Sequence, residues 1–217
     1  MNSEHTEDFA QKNVQFTSLQ KQISLDTPIN AKYDRLTRLA SKITGCSIAL
    51  LSLVDQDREF LKSAFGLPEP LASGREIALS HSFCQHVVEL EKPLIITDAR
   101  QDTVLKDSPI ISDFDFIAYL GIPLSDKNGQ ILGAFSIIET QPRAWSSDEV
   151  DIVQELAQAA IDELELDNQI NTRTAEQIKV QSTLMLQEER IRALYEIATL
   201  NLAADDQIYA LLETGIR

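Results

Sequence analysis

The stretch "HSFCQH", residues 81–86, holds two of the chain's three histidines and one of its two cysteines. Imidazoles and a thiol so close together suggest two chemistries: a metal centre, or a thiol nucleophile activated by a base. A metal needs three or four converging donors. His81, Cys84 and His86 could supply three, but steps of three and two residues do not share one face of a helix. No fourth ligand cluster follows in the sequence. Nucleophilic catalysis would need Cys84 held by a base and that base held by a third group. His81 lies at i−3, yet no partner acid or oxyanion pattern accompanies it. No catalytic residue and no metal ligand is therefore assigned. The structural reading is preferred, with Phe83 and Val87 facing a core and Cys84 in or near a cleft that His81 and His86 cap or line. Cys46, at the start of an apolar run, reads as a small buried hydrophobe.

The elements that would position this cluster follow from composition and patterning. A net charge of −15 argues against a nucleic-acid partner and against an anionic membrane surface, since both require surplus Lys and Arg. The opening "MNSEHTEDFAQ" has no basic region leading into an apolar stretch, so no secretory leader is expected. The longest apolar-rich run, "CSIALLSLV" (46–54), is about half of what a bilayer crossing needs. A cytoplasmic location, no membrane insertion and free thiols are expected.

Gly and Pro divide the chain. All seven prolines lie at or before Pro142, and neither residue occurs from Arg143 to Thr214. The first part therefore reads as a domain with many turns, and the second as helix. Residues 1–27 are expected to form an N-terminal helical segment. "PINAKYDRLTRLASKITG" (28–45) reads as an amphipathic helix with Ile29, Tyr33, Leu36, Leu39 and Ile43 inward. "CSIALLSLVD" (46–55) and "REFLKSAFG" (58–66) read as paired strands turning at Gln56-Asp57. "PLIITD" (93–98), "FIAYLGIPL" (116–124) and "ILGAFSIIE" (131–139) are further strands, the last two joined at Asn128-Gly129. The fold class is α+β on one antiparallel sheet. Alternation in the 116–124 strand puts Phe116, Ala118 and Leu120 on one face and Ile117, Tyr119 and Gly121 on the other, leaving open which lines a cleft. Trp145 reads as a packing anchor whose N–H reaches a backbone carbonyl, and Asp98, Arg100 and Asp102 as solvated loop charges.

From Ser146 the pattern is helical, opened by a cap at Ser147 with Asp148 and Glu149 in the first turn. Ile152, Val153, Leu156, Ala160, Ile161 and Leu164 form an apolar stripe. It weakens between Asn168 and Thr183 and recovers at Leu184, Met185, Ile191, Leu194 and Ile197. A helix running to about Leu200 would be roughly 80 Å long, which suggests half of a coiled coil. Ile152, Val153, Leu156, Ala160, Leu164, Leu184, Ile191 and Leu194 are accordingly expected to form a homodimer seam.

Three segments carry a family resemblance. "AKYDRLTRLASKITGCSIALLSLVDQDREFLKSAFGL", "SFCQHVVELEKPLIITDARQD" and "FDFIAYLGIPLSDKNGQILGAFSIIETQPRAWSSDE" resemble, in order, the opening, middle and close of a GAF domain over residues 28–165. The resemblance implies a central antiparallel sheet of about five or six strands with flanking helices. A long C-terminal signalling helix follows, with a helical linker, read as coiled coil, over 166–200. "EERIRALYEIATLNLAADDQIYALLETGIR" (188–217) resembles the start of a second GAF domain, as in tandem-GAF sensor histidine kinases. The implied function is a sensory and regulatory dimerisation module of a bacterial signalling protein. The expected setting is the N-terminal part of a histidine kinase, with an output domain downstream in the same chain. The alternatives are a ligand-free structural relay or the regulatory domain of a nucleotide cyclase or phosphodiesterase. His81, Phe83, Cys84, His86, Phe116 and Tyr119 are the candidate cleft residues.

The family's better-defined chemistries match poorly. Bilin-binding members carry a Cys-His pair after the third strand, where "TVLKDSPIISDF" (103–114) has neither residue, although Cys84 falls near a second cysteine of some photoreceptors. Neither the cysteines of the methionine sulfoxide reductase branch nor the signature of the cyclic-nucleotide-binding branch is matched. No cofactor is expected, bilin and haem being disfavoured. The chain itself is expected to catalyse nothing, a small Cys84-dependent enzyme being the remote rival.

Overall fold

The computed structural model describes residues 31–55 and 58–214, with side chains placed as far as Thr199. The expected segment 1–27, Ile29 and the turn Gln56-Asp57 lie outside the described residues, as do the side chains beyond Thr199 of the expected second domain. Helix α1 (Ala31–Thr44) leads into strands β1 (Ile48–Val54) and β2 (Arg58–Phe65). A short helix α2 (Leu71–Gly74), β3 (Glu76–Ala78), a 3-10 turn (Leu79–His81) and helix α3 (Cys84–Leu90) follow. Then come β4 (Leu94–Ile96), helix α4 (Pro109–Phe114), β5 (Ala118–Ser125), β6 (Ile131–Glu139) and helix α5 (Ser147–Thr214). The sheet has six strands in the order β3-β2-β1-β6-β5-β4, and every neighbouring pair is antiparallel.

The central strands are apolar on both faces, so the sheet has to be covered twice. On one face Ala49, Leu51, Leu120, Ile122, Phe135 and Ile137 pack against α1 and the first turns of α5. On the other, Ile48, Leu50, Ala134 and Ile138 pack against α3, α4 and the loops around them. The turn between β5 and β6 is made by Asp126, whose Oδ1 accepts from the backbone N–H of Asn128 and of Gln130 at 2.9 and 2.8 Å. Gly129 supplies the positive φ of 80° that closes it.

Two details differ from the expectations. The buried stripe of α1 is Tyr33, Thr37, Ala40 and Thr44, whereas Leu39 and Ile43 face outward. Threonine can be buried there because Thr37 Oγ1 lies 2.8 Å from Ser63 Oγ and Thr44 Oγ1 donates to the Ala40 carbonyl at 2.8 Å. The cap of α5 is Ser146 rather than Ser147. Ser146 Oγ accepts from the Glu149 N–H at 3.3 Å and Glu149 Oε2 accepts from the Ser146 N–H at 2.8 Å, a reciprocal capping box.

The expected dimer stripe needs a larger correction. Val153, Leu156, Ala160 and Leu164 are buried in the domain's own core, and Ile152 packs against it half-buried. These residues are already spent on covering the sheet. Near its end this unit is pinned by a polar cluster. Lys32 Nζ pairs with Glu163 at 2.8 Å and with Asp167, and the Tyr33 hydroxyl donates to Asp167 Oδ2 at 2.5 Å. Residues 169–214 form a second unit, helical throughout. In it Ile170, Ile178, Val180, Leu184, Ile191 and Leu194 are all more than half exposed. No helix among the described residues is long and apolar enough to cross a membrane.

Leu164, at 3% exposure, and Leu39, at 40%, give opposite expectations. Leu164→Ala is expected to cost about 2–4 kcal/mol in urea unfolding and Leu39→Ala less than about 1 kcal/mol. Equal losses would contradict this placement of the helix faces.

Candidate functional site

The six predicted cleft residues do not stay together. Phe83, Cys84, Phe116 and Tyr119 are buried in one cluster under α3, the Phe83 and Tyr119 rings meeting edge to face at 5.4 Å. His81 is exposed on the 3-10 turn, and His86 is part-exposed on α3 with Nδ1 3.3 Å from Glu89 Oε2. The histidines therefore neither cap nor line the buried cluster. Helix α3 starts only at Cys84, so Cys84 and Val87 form its inward edge and His86 falls outside that edge.

The open question about strand faces also resolves. Tyr119 and Ile117 share the α3 side, and Leu120 and Ile122 the α5 side. Phe116 joins Tyr119 despite the alternation, because β5 begins only at Ala118 and Phe116 belongs to the approach loop. Gly121 is required by Tyr119: a Cβ there would come within 2.4 Å of the Tyr119 hydroxyl, so the ring lies flat against the strand.

Three polar residues that the sequence reading passed over complete the cluster. Glu59, on β2, is 3% exposed, and its carboxylate accepts from the Ser82 hydroxyl. Ser82 Oγ in turn accepts from the Cys84 N–H at 2.9 Å, fixing the entry to α3. Ser52 Oγ, at the middle of β1, lies 3.2 Å from the Ala134 carbonyl oxygen and 3.5 Å from Cys84 Sγ. Burial pushes the Glu59 carboxyl up from its ordinary value, against the hydrogen bonds from Ser82 and Ser52. Burial also pushes the Cys84 thiol well up, and the neighbouring Glu59 charge adds to that. The Tyr119 hydroxyl is raised for the same reason, with Cys84 and Glu59 adding. A reactive cysteine needs the reverse, a positive and partly open setting. Cys84 therefore has the character of a core residue.

Cys46 is likewise buried, its Sγ 3.3 Å from the Ile48 carbonyl oxygen. Among the described residues no three His, Cys, Asp or Glu side chains are grouped to hold a metal. Asp98 and Asp102 do more than face solvent. Asp98 takes a fork from Arg100, with Nη2 at 2.8 Å, and Asp102 Oδ1 accepts from the Val104 and Leu105 N–H groups at 2.8 and 3.0 Å. Beside β4 a surface hollow of about 410 Å³ is lined by Ile95, Thr97, Asp98 and Gln101 among others, and by none of the six predicted residues.

Comparison with known proteins follows the same lines. Residues 28–164 match the GAF domain family. A cyclic di-GMP phosphodiesterase of Pseudomonas aeruginosa is 27% identical over 192 residues, covering 85% of this chain and 31% of the relative. The chain thus spans about a third of the length of that curated relative. The GAF domain of an Acinetobacter phosphoenolpyruvate-protein phosphotransferase superposes with a TM-score of 0.55 at 14% identity, over 74% of this chain and 98% of that one. A domain of a two-component sensor histidine kinase protein from Sinorhizobium meliloti 1021 gives 0.54 at 17%, over 68% and 99%. At such identities the superpositions speak for the fold alone.

Two outcomes are expected from the buried cluster. Thiol titration of the native chain at pH 8 should find both cysteines unreactive until denaturant is added; rapid native labelling of Cys84 would contradict the burial. Glu59, with its folded pKa raised, stabilises the fold most below the ordinary carboxylate value of 4.5, and that contribution is lost as pH rises through the folded pKa. Urea midpoints should therefore fall with rising pH above 4.5 by a component that is missing in Glu59→Gln. An identical pH profile in that variant would count against a raised Glu59.

Proposed function

Because the chain belongs to the GAF family, we propose that it is a sensory or regulatory module of a bacterial signalling protein, itself without catalysis, acting on an enzyme that turns over a cyclic dinucleotide. The carrying observation is the similarity to the Pseudomonas aeruginosa phosphodiesterase, since 192 aligned residues exceed the family segment and so take in sequence outside the domain. The setting expected from the sequence, a histidine kinase, has support only from a likeness of fold at 17% identity. It is the second reading.

The side-chain packing under α3 favours a relay over a receptor. Phe83, Cys84, Val87, Phe116 and Tyr119 fill the face where a ligand would have to lie. The domain then works through its helices, as a homodimer placed in the cytoplasm. The seam lies beyond the core: Val180, Leu184, Ile191 and Leu194 recur at steps of four, seven and three, the positions of a heptad seam, and all are more than half exposed. Gln187 takes the remaining seam position, a polar layer that weakens pairing while setting its register.

The test combines mass with output. Leu184→Glu together with Leu194→Glu should halve the mass by light scattering and leave the thermal transition of the 31–168 domain in place. In the full-length protein the same pair should change cyclic di-GMP hydrolysis several-fold. An unchanged mass would sink the dimer. ATP-dependent autophosphorylation without hydrolysis would move the output to the kinase reading.

A further inference from the structure

The connection between β6 and α5 contains a residue that serves four elements at once. Arg143 Nη1 donates to Glu139 Oε1, at the end of β6, at 3.1 Å. Nη2 donates to Glu149 Oε1 in the first turn of α5 and to the Thr44 carbonyl, one of the last-turn carbonyls that α1 cannot pair internally. The guanidinium also lies over the Trp145 ring, 4.8 Å from its centroid. The fourth element is β4. Trp145 Nε1 donates to the Ile96 carbonyl at 3.1 Å, and the Arg143 backbone N–H donates to the Thr97 carbonyl at 3.0 Å.

β4 is well placed to move. It is an edge strand with three paired residues, so it can shift while the central β1–β6–β5 ladder stays intact. It follows α3 after a short turn, and α3 carries Cys84 and Val87 into the buried cluster. On its outer side the carbonyls at its end are held by the segment leading into α5. A planar guanidinium fixes its acceptors by direction as well as distance, so displacing one partner re-aims the fork at the others. Among those others is Glu149, whose second oxygen holds Ser146 in the capping box of α5.

We infer that Arg143 and Trp145 form a joint that passes the packing of α3, on one face of the sheet, through the edge strand β4 to the first turn of α5 on the other. Repacking under α3 shifts β4, β4 draws on Trp145 and the Arg143 backbone, and the fork on Glu149 loosens or tightens the α5 cap. The joint needs neither a ligand nor a particular output enzyme, so it stands or falls separately from the functional reading above.

The test is a thermodynamic cycle read by amide hydrogen exchange on the 217-residue chain. Val87→Ala empties space under α3, where Val87 is fully buried. In the otherwise unaltered chain it is expected to speed exchange of the Val150–Val153 amides by roughly five- to tenfold, the lower range of couplings between sites. Trp145→Phe keeps an aromatic ring, though a smaller one, and deletes the N–H; Arg143→Lys keeps the charge and loses the fork. In either background Val87→Ala should still speed exchange in α3 and β4 but leave Val150–Val153 at that background's rate. If Trp145→Phe does not fold, Arg143→Lys decides alone. A Val87→Ala increment on α5 that is equal in all backgrounds, as merely structural residues would give, overturns the joint. So does the lack of any increment in the unaltered chain.

Discussion

A sheet with two apolar faces cannot be left half covered, and most of this molecule follows from that requirement. β1, β5 and β6 place large side chains on both sides, so the chain needs one layer of helices above and another layer below. The upper layer comes from both ends of the domain, α1 and the start of α5. The lower layer is improvised from α3, α4 and loops. It follows that α5 is two things in succession. As far as Asn168 it is a wall of the domain, held by Val153, Ala160 and Leu164; afterwards it is helix whose apolar side chains lie open.

The lower layer buries a carboxyl, Glu59, beside its serines, while the upper layer buries hydroxyls at Thr37, Thr44 and Ser63. A carboxyl buried in a low-dielectric interior is costly unless hydrogen bonds satisfy it. Glu59 meets that condition through Ser82, and Ser82 uses the same oxygen to hold the N–H of Cys84. The cluster thereby stitches β2 to the start of α3, which β-sheet pairing alone would not do. The charges at the far end of the domain are of another kind. Lys32, Glu163 and Asp167 are part-exposed, so each pair contributes modestly while tying the start of α1 to α5.

Much of this was legible in the residues. Five of the six strands, the Asn128-Gly129 turn, the Trp145 anchor and the long C-terminal helix follow from period, punctuation and the chemistry of single side chains, whereas the three-residue β3 is too short to show a period. What could not be read was which of two equally good faces goes inward. The α1 stripe rotated because threonines can be buried once they hydrogen-bond backbone or serine, which a count of apolar residues ignores. The stripe on 152–164 reads equally well as a dimer seam, because an amphipathic stripe looks the same whether a sheet or a second helix covers it. Glu59 went unnoticed as a charge, although its period-two partnership with Leu61 placed it on an inward face. The histidines misled in the opposite direction: chemistry concentrated in six residues of sequence was divided by the late start of α3 between the core and the surface.

The lack of any Gly or Pro between Arg143 and Thr214 gives α5 a final property, that of phase. Each residue of an α-helix turns the next by about 100°. From Val180 to Leu194 nothing interrupts that rotation, so the bearing of each open side chain relative to the next is written into the chain by counting alone, like teeth cut on one shaft. Seven residues inserted between Val180 and Leu194 would nearly preserve their shared side, and two would send Leu194 to the side opposite Val180.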